Sequence, residues 1–499
     1  MGIKAALSRP YAAYMVKKRN FTMVADPIKT QKKWMDYLLR KAELTAFGIN
    51  HSFPKIRTYS DWKKNIPVRD YEELLPYFER ILNGEESILW PGRPQYLAKT
   101  SGTTAGAKYI PITRQSMPFH IQSAKMALLS YIHESRRADF VDGKMIFLQG
   151  SPALEDKNGL KIGRLSGITA HHVPAYLQRN RLPSKETNLI ADCEQKVDAI
   201  VLETADQDLR LISGIPAWVQ MYFERLLEHT GKKTVMEVFP NFSLFVYGGV
   251  NFAPYKQRFR ELIGADIPSV ELFPASEGFF AYQDTQHAEG LLLELDSGIF
   301  YEFIPVEEFG KPDAKRIWLD EVEIGQNYAL IVNSVAGLWG YNIGDTVKFV
   351  STEPHRIIVT GRLKHFTSAF GEHVIAEEVE SAMQEVCEAL NCSTVEFHLA
   401  PQVTPSDGLP YHEWFIEFAK KPEDEVAFAK LLDEALVKRN PYYKDLIKGS
   451  VLRPLRIQNV KQNGFMEMMK ERGKLGGQNK IPRLANDRKI ADVLSRFSA

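Results

Sequence analysis

Residues 209–218 read LRLISGIPAW, and residues 244–249 read LFVYGG. In the first stretch an apolar run ends at Gly214, and Pro216 opens a helical segment that reaches about His229. In the second, Leu244–Tyr247 ends at Gly248–Gly249, and a helix is expected from about Tyr255 to Ile263. Lys144–Leu148, ending at Gly150, repeats the pattern upstream. Short apolar runs that stop at glycine and lead into helices build a sheet flanked by helices, with ligand-facing turns at the strand ends. The middle of the chain therefore reads as α/β.

On the N-terminal side, Thr30–Phe47 carries Trp34, Leu38, Leu39 and Ala42 at helical spacing, and Asp70–Leu82 carries Leu74, Leu75, Phe78 and Ile81. Tyr96–Lys99 reads as a short strand. On the C-terminal side the texture turns β-rich from Leu291 to Val359. Leu291–Leu295 and Ile299–Phe303 flank Asp296-Ser297-Gly298 and predict a hairpin. Tyr328–Asn333, Thr346–Val350 and Arg356–Thr360 continue this section as a small barrel or sheet. After Gly361 helix and strand alternate again: Ala376–Ala389 helical, Ser393–Leu399 and Trp414–Phe418 extended, Asp424–Lys438 helical. The expected fold class is α/β. A large N-terminal α/β domain, residues 1–362, holds a β-rich, barrel-like section at about 291–362, and a smaller mobile C-terminal α+β domain takes residues 363–499. A chain of 499 residues suits such a division.

Composition narrows the function. Hydrophobic residues at 44% and charged residues at 25% are ordinary for a globular protein. A net charge of +1 gives no basis for a nucleic acid or an anionic membrane as main partner. Cys193, Cys387 and Cys392 include no CxxC spacing, which argues against a thioredoxin-like centre or zinc ribbon and for reduced thiols in a cytoplasmic protein. The N-terminus, MGIKAALSRPYAAYMVKKRNF, is basic and mildly amphipathic but lacks the apolar run of a signal peptide, and Ala6 breaks the myristoylation pattern. It reads as a helix packed on the core, with an interfacial helix as the alternative. No segment approaches a membrane span. His171 and His172, read as strand neighbours, would face opposite ways, which argues against a metal pair. With no GxSxG elbow, serine hydrolase chemistry lacks support.

Five segments carry chemistry. Residues 100–108, TSGTTAGAK, bring two glycines that let backbone approach an anion, hydroxyls on Ser101, Thr103 and Thr104 to donate to phosphate oxygens, and the charge of Lys108. Three residues between the glycines, and Ala107 before Lys108, depart from a Walker A loop. Alone, the segment is equally readable as a polar surface turn. Residues 273–278, FPASEG, place Glu277 after an apolar run, where a carboxylate can hold Mg²⁺ and Phe273 can stack on a purine; a solvated Glu and a core Phe are the plain alternative. Residues 340–345, GYNIGD, put Asp345 in what reads as a tight glycine turn, able to accept from a ribose diol or merely from its own backbone. Residues 361–366, GRLKHF, read as a hinge. Residues 473–483, GKLGGQNKIPR, read as a mobile loop that carries Lys480 into a site.

In this order the five segments resemble the adenylate-forming superfamily of acyl-CoA synthetases and luciferases. Val68–Gly84, VRDYEELLPYFERILNG, and Gly325–Asp345, GQNYALIVNSVAGLWGYNIGD, are more closely similar to the auxin-responsive promoter family, acyl acid amido synthetases known from plants and also found in bacteria. The likeness runs from about Gln31 to Arg488. It implies ATP and Mg²⁺ as cofactors, and a small carboxylic acid and an amine, an amino acid, as partners. No nucleic acid and no stable membrane association are expected. It implies a nucleotide site of Ser101, Gly102, Thr103, Thr104, Lys108, Phe273, Ser276, Asp345 and Arg362. Glu277 would hold the metal, and Lys480 and Glu277 would act in catalysis. Phe273 stands where the family usually has Tyr, keeping a stacking face without the hydroxyl. Asn342 stands where Arg is common, so no charge role carries over there. His373 falls near a phosphate-contacting Lys of plant members, but Lys480 matches the family's C-terminal Lys better. A thiol acceptor, as in acyl-CoA or acyl-carrier ligases, and a nucleotide-binding protein without catalysis are the competing functions.

Overall fold

The computed structural model describes residues 2–498 except 104–105, 174–177, 191–192, 250–251, 253–254, 312, 364–365, 368, 373 and 473–481. Helix α1 (Ile3–Arg19) and helix α2 (Pro27–Ala42) open the chain. The helix Tyr71–Leu82 begins where Asp70 and Glu73 form a reciprocal capping box, each side chain accepting from the other's backbone N–H. Strands β1 (Tyr96–Thr103) and β2 (Gly106–Ile112) pair antiparallel. After β3 (Lys144–Phe147), strands β4 (Glu155–Lys157) and β5 (Leu160–Gly163) complete a four-stranded sheet in the order β2-β1-β5-β4.

The main sheet also contains β6 (Arg181–Leu182), β7 (Leu209–Ser213), β8 (Leu244–Gly248), β9 (Ser269–Ala275), β10 (Gly278–Tyr282) and β11 (Leu291–Leu293). It ends with β12 (Ile299–Pro305), β13 (Ile317–Trp318), β14 (Asn327–Ser334), β15 (Leu338–Thr352) and β16 (His355–Arg362). Together with β3 these form one twelve-stranded sheet, β13-β12-β14-β15-β16-β11-β10-β9-β8-β7-β3-β6. The pairings among β6, β3, β7, β8 and β9 are parallel, and those from β9 onward are antiparallel. Of the two readings for the β-rich section, the strands form a sheet, continuous with the α/β half.

The parallel half is covered on both faces, which is why its strands read as unbroken apolar runs. Along β8, Leu244 and Val246 join one apolar cluster, while Phe245 and Tyr247 join another. The helix Met117–Ser135 contributes Ala127 and Tyr131 to the first. The helices Pro216–Thr230 and Lys256–Ile263 contribute Phe223 and Phe259 to the second. Pro216 sits at the start of its helix and Gly231, left-handed at φ 66°, ends it.

The predicted 291–303 hairpin does not form. Strand β11 pairs with β10 and β16, and β12 pairs with β13 and β14. The reason lies outside the local sequence. The buried Gln31 amide of α2 donates at 3.0 Å to the carbonyls of Leu295 and Ile299 and accepts from Tyr301 N at 2.8 Å. One side chain thereby occupies the positions a partner strand would use. His171 and His172 are also not on a strand; they follow the short helix Leu165–Ala170. Their ring Nε2 atoms bond Pro152 O at 2.8 Å and the Tyr96 hydroxyl at 3.1 Å.

Beyond residue 363 a short ribbon of β17 (Phe366–Thr367) and β18 (Val374–Ile375) precedes the three-stranded sheet of β19 (Ser393–Gln402), β20 (Tyr411–Lys420) and β21 (Arg456–Asn459). Helices Ala376–Ala389, Glu425–Arg439 and Pro441–Lys448 pack on it, the last two through Phe428 against Phe418 and Tyr443 against His412. Phe370, Val379, Trp414 and Tyr443 belong to the same apolar cluster as Phe245 and Phe259, so core continues across residue 363. Polar bonds cross it too: Tyr255 OH donates to Ala369 O at 2.6 Å, Tyr442 OH to Lys99 O at 3.4 Å, and Arg164 pairs with Asp445.

Candidate active site

The glycine- and threonine-rich segment is a hairpin rather than an open loop. Thr100 faces Lys108, and the register then breaks so that Thr103 faces Gly106. Ser101, Gly102 and Thr103 belong to the β1 arm, while Thr104 lies outside the described residues. The Lys108 ammonium lies 5.5 Å from the Tyr71 ring centre. The backbone N–H of Tyr109 donates to the Tyr71 hydroxyl at 3.0 Å, and burial pushes that phenol up to about 12, so it stays neutral beside the lysine.

Ser276 and Glu277 form the two-residue turn between β9 and β10, because Ala275 and Gly278 are register partners. Both are half-buried. This is the carboxyl end of the last parallel strand, the edge at which open α/β sheets bind ligands. Phe273 lies opposite Ala281, 7% exposed, its ring edge-on to Phe280 at 5.2 Å. Glu271 accepts from Tyr247 OH at 3.3 Å; burial raises its carboxyl pKa and the Tyr247 bond opposes the rise.

Asp345 is not in a turn between strands, as the sequence had it, but inside β15. Opposite β14 the pairing jumps from Ala329–Thr346 to Ile331–Asn342, so Ile343, Gly344 and Asp345 form a bulge. Bulges re-aim side chains without ending a strand. Gly344 adopts φ 86°, and its N–H donates to Asn342 Oδ1 at 2.9 Å. Asn342 thus shapes the bulge. On its other side Asp345 is the register partner of Arg362. The ladder extends past β16, since Leu363 N donates to Gly344 O at 2.9 Å and ties the start of the expected hinge to the bulge.

The strand register joins Asp345 with Arg362 and Thr100 with Lys108, and the β9–β10 turn holds Ser276 beside Glu277. The register does not join these three groups to one another. Val68–Tyr71 links two of them. Arg69 N donates to Gly340 O at 2.9 Å and Arg69 O accepts from Asn342 N at 2.8 Å, while Tyr71 supports Lys108 and Tyr109. A Cβ on Gly340 would stand 2.3 Å from Pro67 O, so only glycine permits this approach. The sequence marked this segment as family-like but assigned no role to Arg69 or Tyr71. It also passed over His120, on the helix that follows β2. Burial pushes this imidazole down to about 4, and its Nδ1 has no hydrogen-bond partner among the described residues. Lys480 and His373 lie outside the described residues. Among the described residues no group of three His, Cys, Asp or Glu is placed to hold a metal, and no helix is long and apolar enough to cross a membrane.

The fold matches that of a solved acyl acid amido synthetase, AtGH3.15 in complex with 2,4-DB, at TM-score 0.62 and 17% identity, over 98% of this chain and 96% of that one. A 2-hydroxyisobutyryl-CoA ligase in its thioesterification state matches at TM-score 0.56 and 13% identity, over 94% and 92%. This chain therefore shares the fold of both solved enzymes. Models of the GH3 family match as its N-terminal domain at residues 17–203, its central domain at 292–362 and its C-terminal domain at 377–489. The chain belongs to the GH3 family of acyl acid amido synthetases. A jasmonoyl-L-amino acid synthetase of Oryza sativa subsp. japonica is 22% identical over 95% of both chains. One from Nicotiana attenuata is 24% identical over 61% of this chain, and the match spans 63% of its own length. An indole-3-acetic acid-amido synthetase of Arabidopsis thaliana is 24% identical over 39% of this chain and 35% of its own.

Proposed function

We propose that this chain uses ATP to activate a carboxylic acid as an acyl-adenylate and passes the acyl group to the amine of an amino acid. The observation that supports the reading is the β15 bulge at Asp345, a register partner of Arg362 on β16, in a GH3-family chain. In the first half-reaction a carboxylate oxygen attacks the α-phosphorus of ATP and pyrophosphate leaves. In the second, the amine nitrogen attacks the acyl carbon, loses a proton, and AMP leaves. The protein's work is positioning and charge neutralisation.

Each group has a part in this reading. Asp345 and Arg362 hold the ribose, and Phe273 and Ser276 border the nucleotide. The β1–β2 hairpin, with Ser101, Gly102, Thr103, Thr104 and Lys108, cradles the phosphates. Lys480 supplies the cation that completes the site. Mg²⁺ usually takes one or two carboxylates plus substrate phosphates, a requirement that one half-buried Glu277 at a strand end fits. Held there, the ion would neutralise charge developing on the phosphates. Residues 363–499 would reorient about Arg362–Phe366 between the half-reactions, and the reaction would run in the cytoplasm.

The test is exchange of labelled pyrophosphate into ATP across a panel of aryl, indolyl and fatty acids, followed by mass spectrometry of products formed with amino acids or with CoA. Exchange with at least one acid and an amide product is expected. A CoA thioester instead would move the acceptor to a thiol. ATP binding without exchange from any acid would leave a nucleotide-binding protein without catalysis.

A further inference from the structure

Helix α1 buries one face and leaves the opposite one apolar in solvent. Ala5, Ala12 and Val16 are its buried residues, small enough to let it lie close on the helix Met117–Ser135. On the other side Ile3, Leu7 and Tyr14 are 81%, 67% and 63% exposed, and Phe21, in the π-turn that follows, is 82% exposed. Positions 3, 7, 14 and 21 recur at helical spacing and so share one stripe, with Tyr11 at its edge. Single exposed apolar residues are common on monomers; an aligned row of large ones marks an interaction surface.

The charged side chains of α1 itself are all basic. Lys4, Lys17 and Lys18 are exposed on α1. Lys125 of the neighbouring helix reaches over Tyr11, 4.8 Å from its ring centre and 2.7 Å from its hydroxyl. No Asp or Glu occurs before Asp26. The Asp142 carboxylate beside the helix start is engaged by Gly2 N at 2.7 Å and Ala5 N at 3.3 Å.

We propose that α1 is a docking face for an anionic lipid surface. Its apolar and aromatic side chains would enter the boundary between headgroups and acyl chains, while lysines at the rim reach the lipid phosphates. A second copy of the chain fits less well, because a two-fold contact through this face would bring lysines against lysines. One short stripe gives reversible adsorption rather than an anchor, in keeping with a chain that has no membrane-spanning helix among its described residues. The inference does not depend on the proposed acid activation.

The test is co-sedimentation of the full chain with vesicles of phosphatidylcholine alone and with added phosphatidylglycerol. Binding to the anionic vesicles, weakening as salt rises, is expected, with little binding to phosphatidylcholine. Leu7→Ser with Phe21→Ser should lower partitioning at least about tenfold. Lys4→Gln with Lys17→Gln should lower it about as much, on anionic vesicles only. All four side chains are exposed, so an unchanged thermal midpoint checks that each variant folds. No binding to anionic vesicles at low salt, or binding indifferent to the Leu7 and Phe21 changes, would overturn the proposal. A dimer seen by light scattering and lost in the Leu7/Phe21 variant, without vesicle binding, would give the face to a second copy instead.

Discussion

Asp345 and Arg362 face each other across adjacent antiparallel strands, and the bulge that turns Asp345 is tied by Leu363 N to the start of the C-terminal region. In the proposed reading the Asp345 carboxylate accepts from the ribose diol. Asp345→Ala should therefore weaken ATP binding by about 2 kcal/mol, or roughly thirtyfold in Kd, the worth of one to two charge-assisted hydrogen bonds. Isothermal titration calorimetry with ATP reads this directly, and unchanged affinity would remove Asp345 from the ribose role.

Lys480→Ala should leave ATP binding nearly intact and lower acid-dependent pyrophosphate exchange by about a hundredfold or more. A preorganised cation matters chiefly where charge develops in the transition state. Paired binding and exchange measurements separate the two effects. Activity that survives would shift the role to His373 or Lys364.

Gln31→Leu should cost about 2–5 kcal/mol of stability. It strands the carbonyls of Leu295 and Ile299 and the Tyr301 N–H in a buried place, where each unmade bond is expensive. The thermal midpoint should fall while ATP affinity below the transition stays near wild type. A midpoint equal to wild type would mean that water or a backbone shift replaces the amide.

Glu294 couples stability to pH. Burial raises its carboxyl to about 7, against the opposing hydrogen bond from Asp296 N and the charge of Arg19. The folded chain keeps this proton between the ordinary value of 4.5 and about 7, whereas the unfolded chain releases it. Stability from this group therefore falls as pH rises through that window, by on the order of 3 kcal/mol, and stays low above it. Glu294→Gln should remove the penalty, so its melting temperature should gain on wild type between pH 5 and pH 8. Parallel curves for the two proteins would count against a protonated Glu294.

Much of the local structure was legible in the sequence. The helix over Asp70–Leu82 and the start at Pro216 are written within a few residues, and β7, β8 and the helix Ala376–Ala389 fall where their apolar periodicity puts them. The Ser276–Glu277 turn was legible because it ends an apolar run. Asp345 was legible as a residue but not as a geometry. Two glycines within six residues read as a turn, yet Arg69 pairs alongside and keeps the strand going. Arg69 and Tyr71 carried no signal of their own, since their value comes from what they touch.

The sequence by itself determined that glycine-ended strands and helices alternate, and that the segments 100–108, 273–278, 340–345 and 361–366 follow in one order. Those features depend on residues close together in the chain, where propensity, capping and spacing act. Only the tertiary structure decided that Gln31 separates β11 from β12, that Val68–Tyr71 bridges the β1–β2 hairpin and the Asp345 bulge, and that α1 keeps an apolar face in solvent. Each of these is set by groups far apart in sequence. A buried polar atom must find a partner wherever one stands, and no local pattern says where that will be.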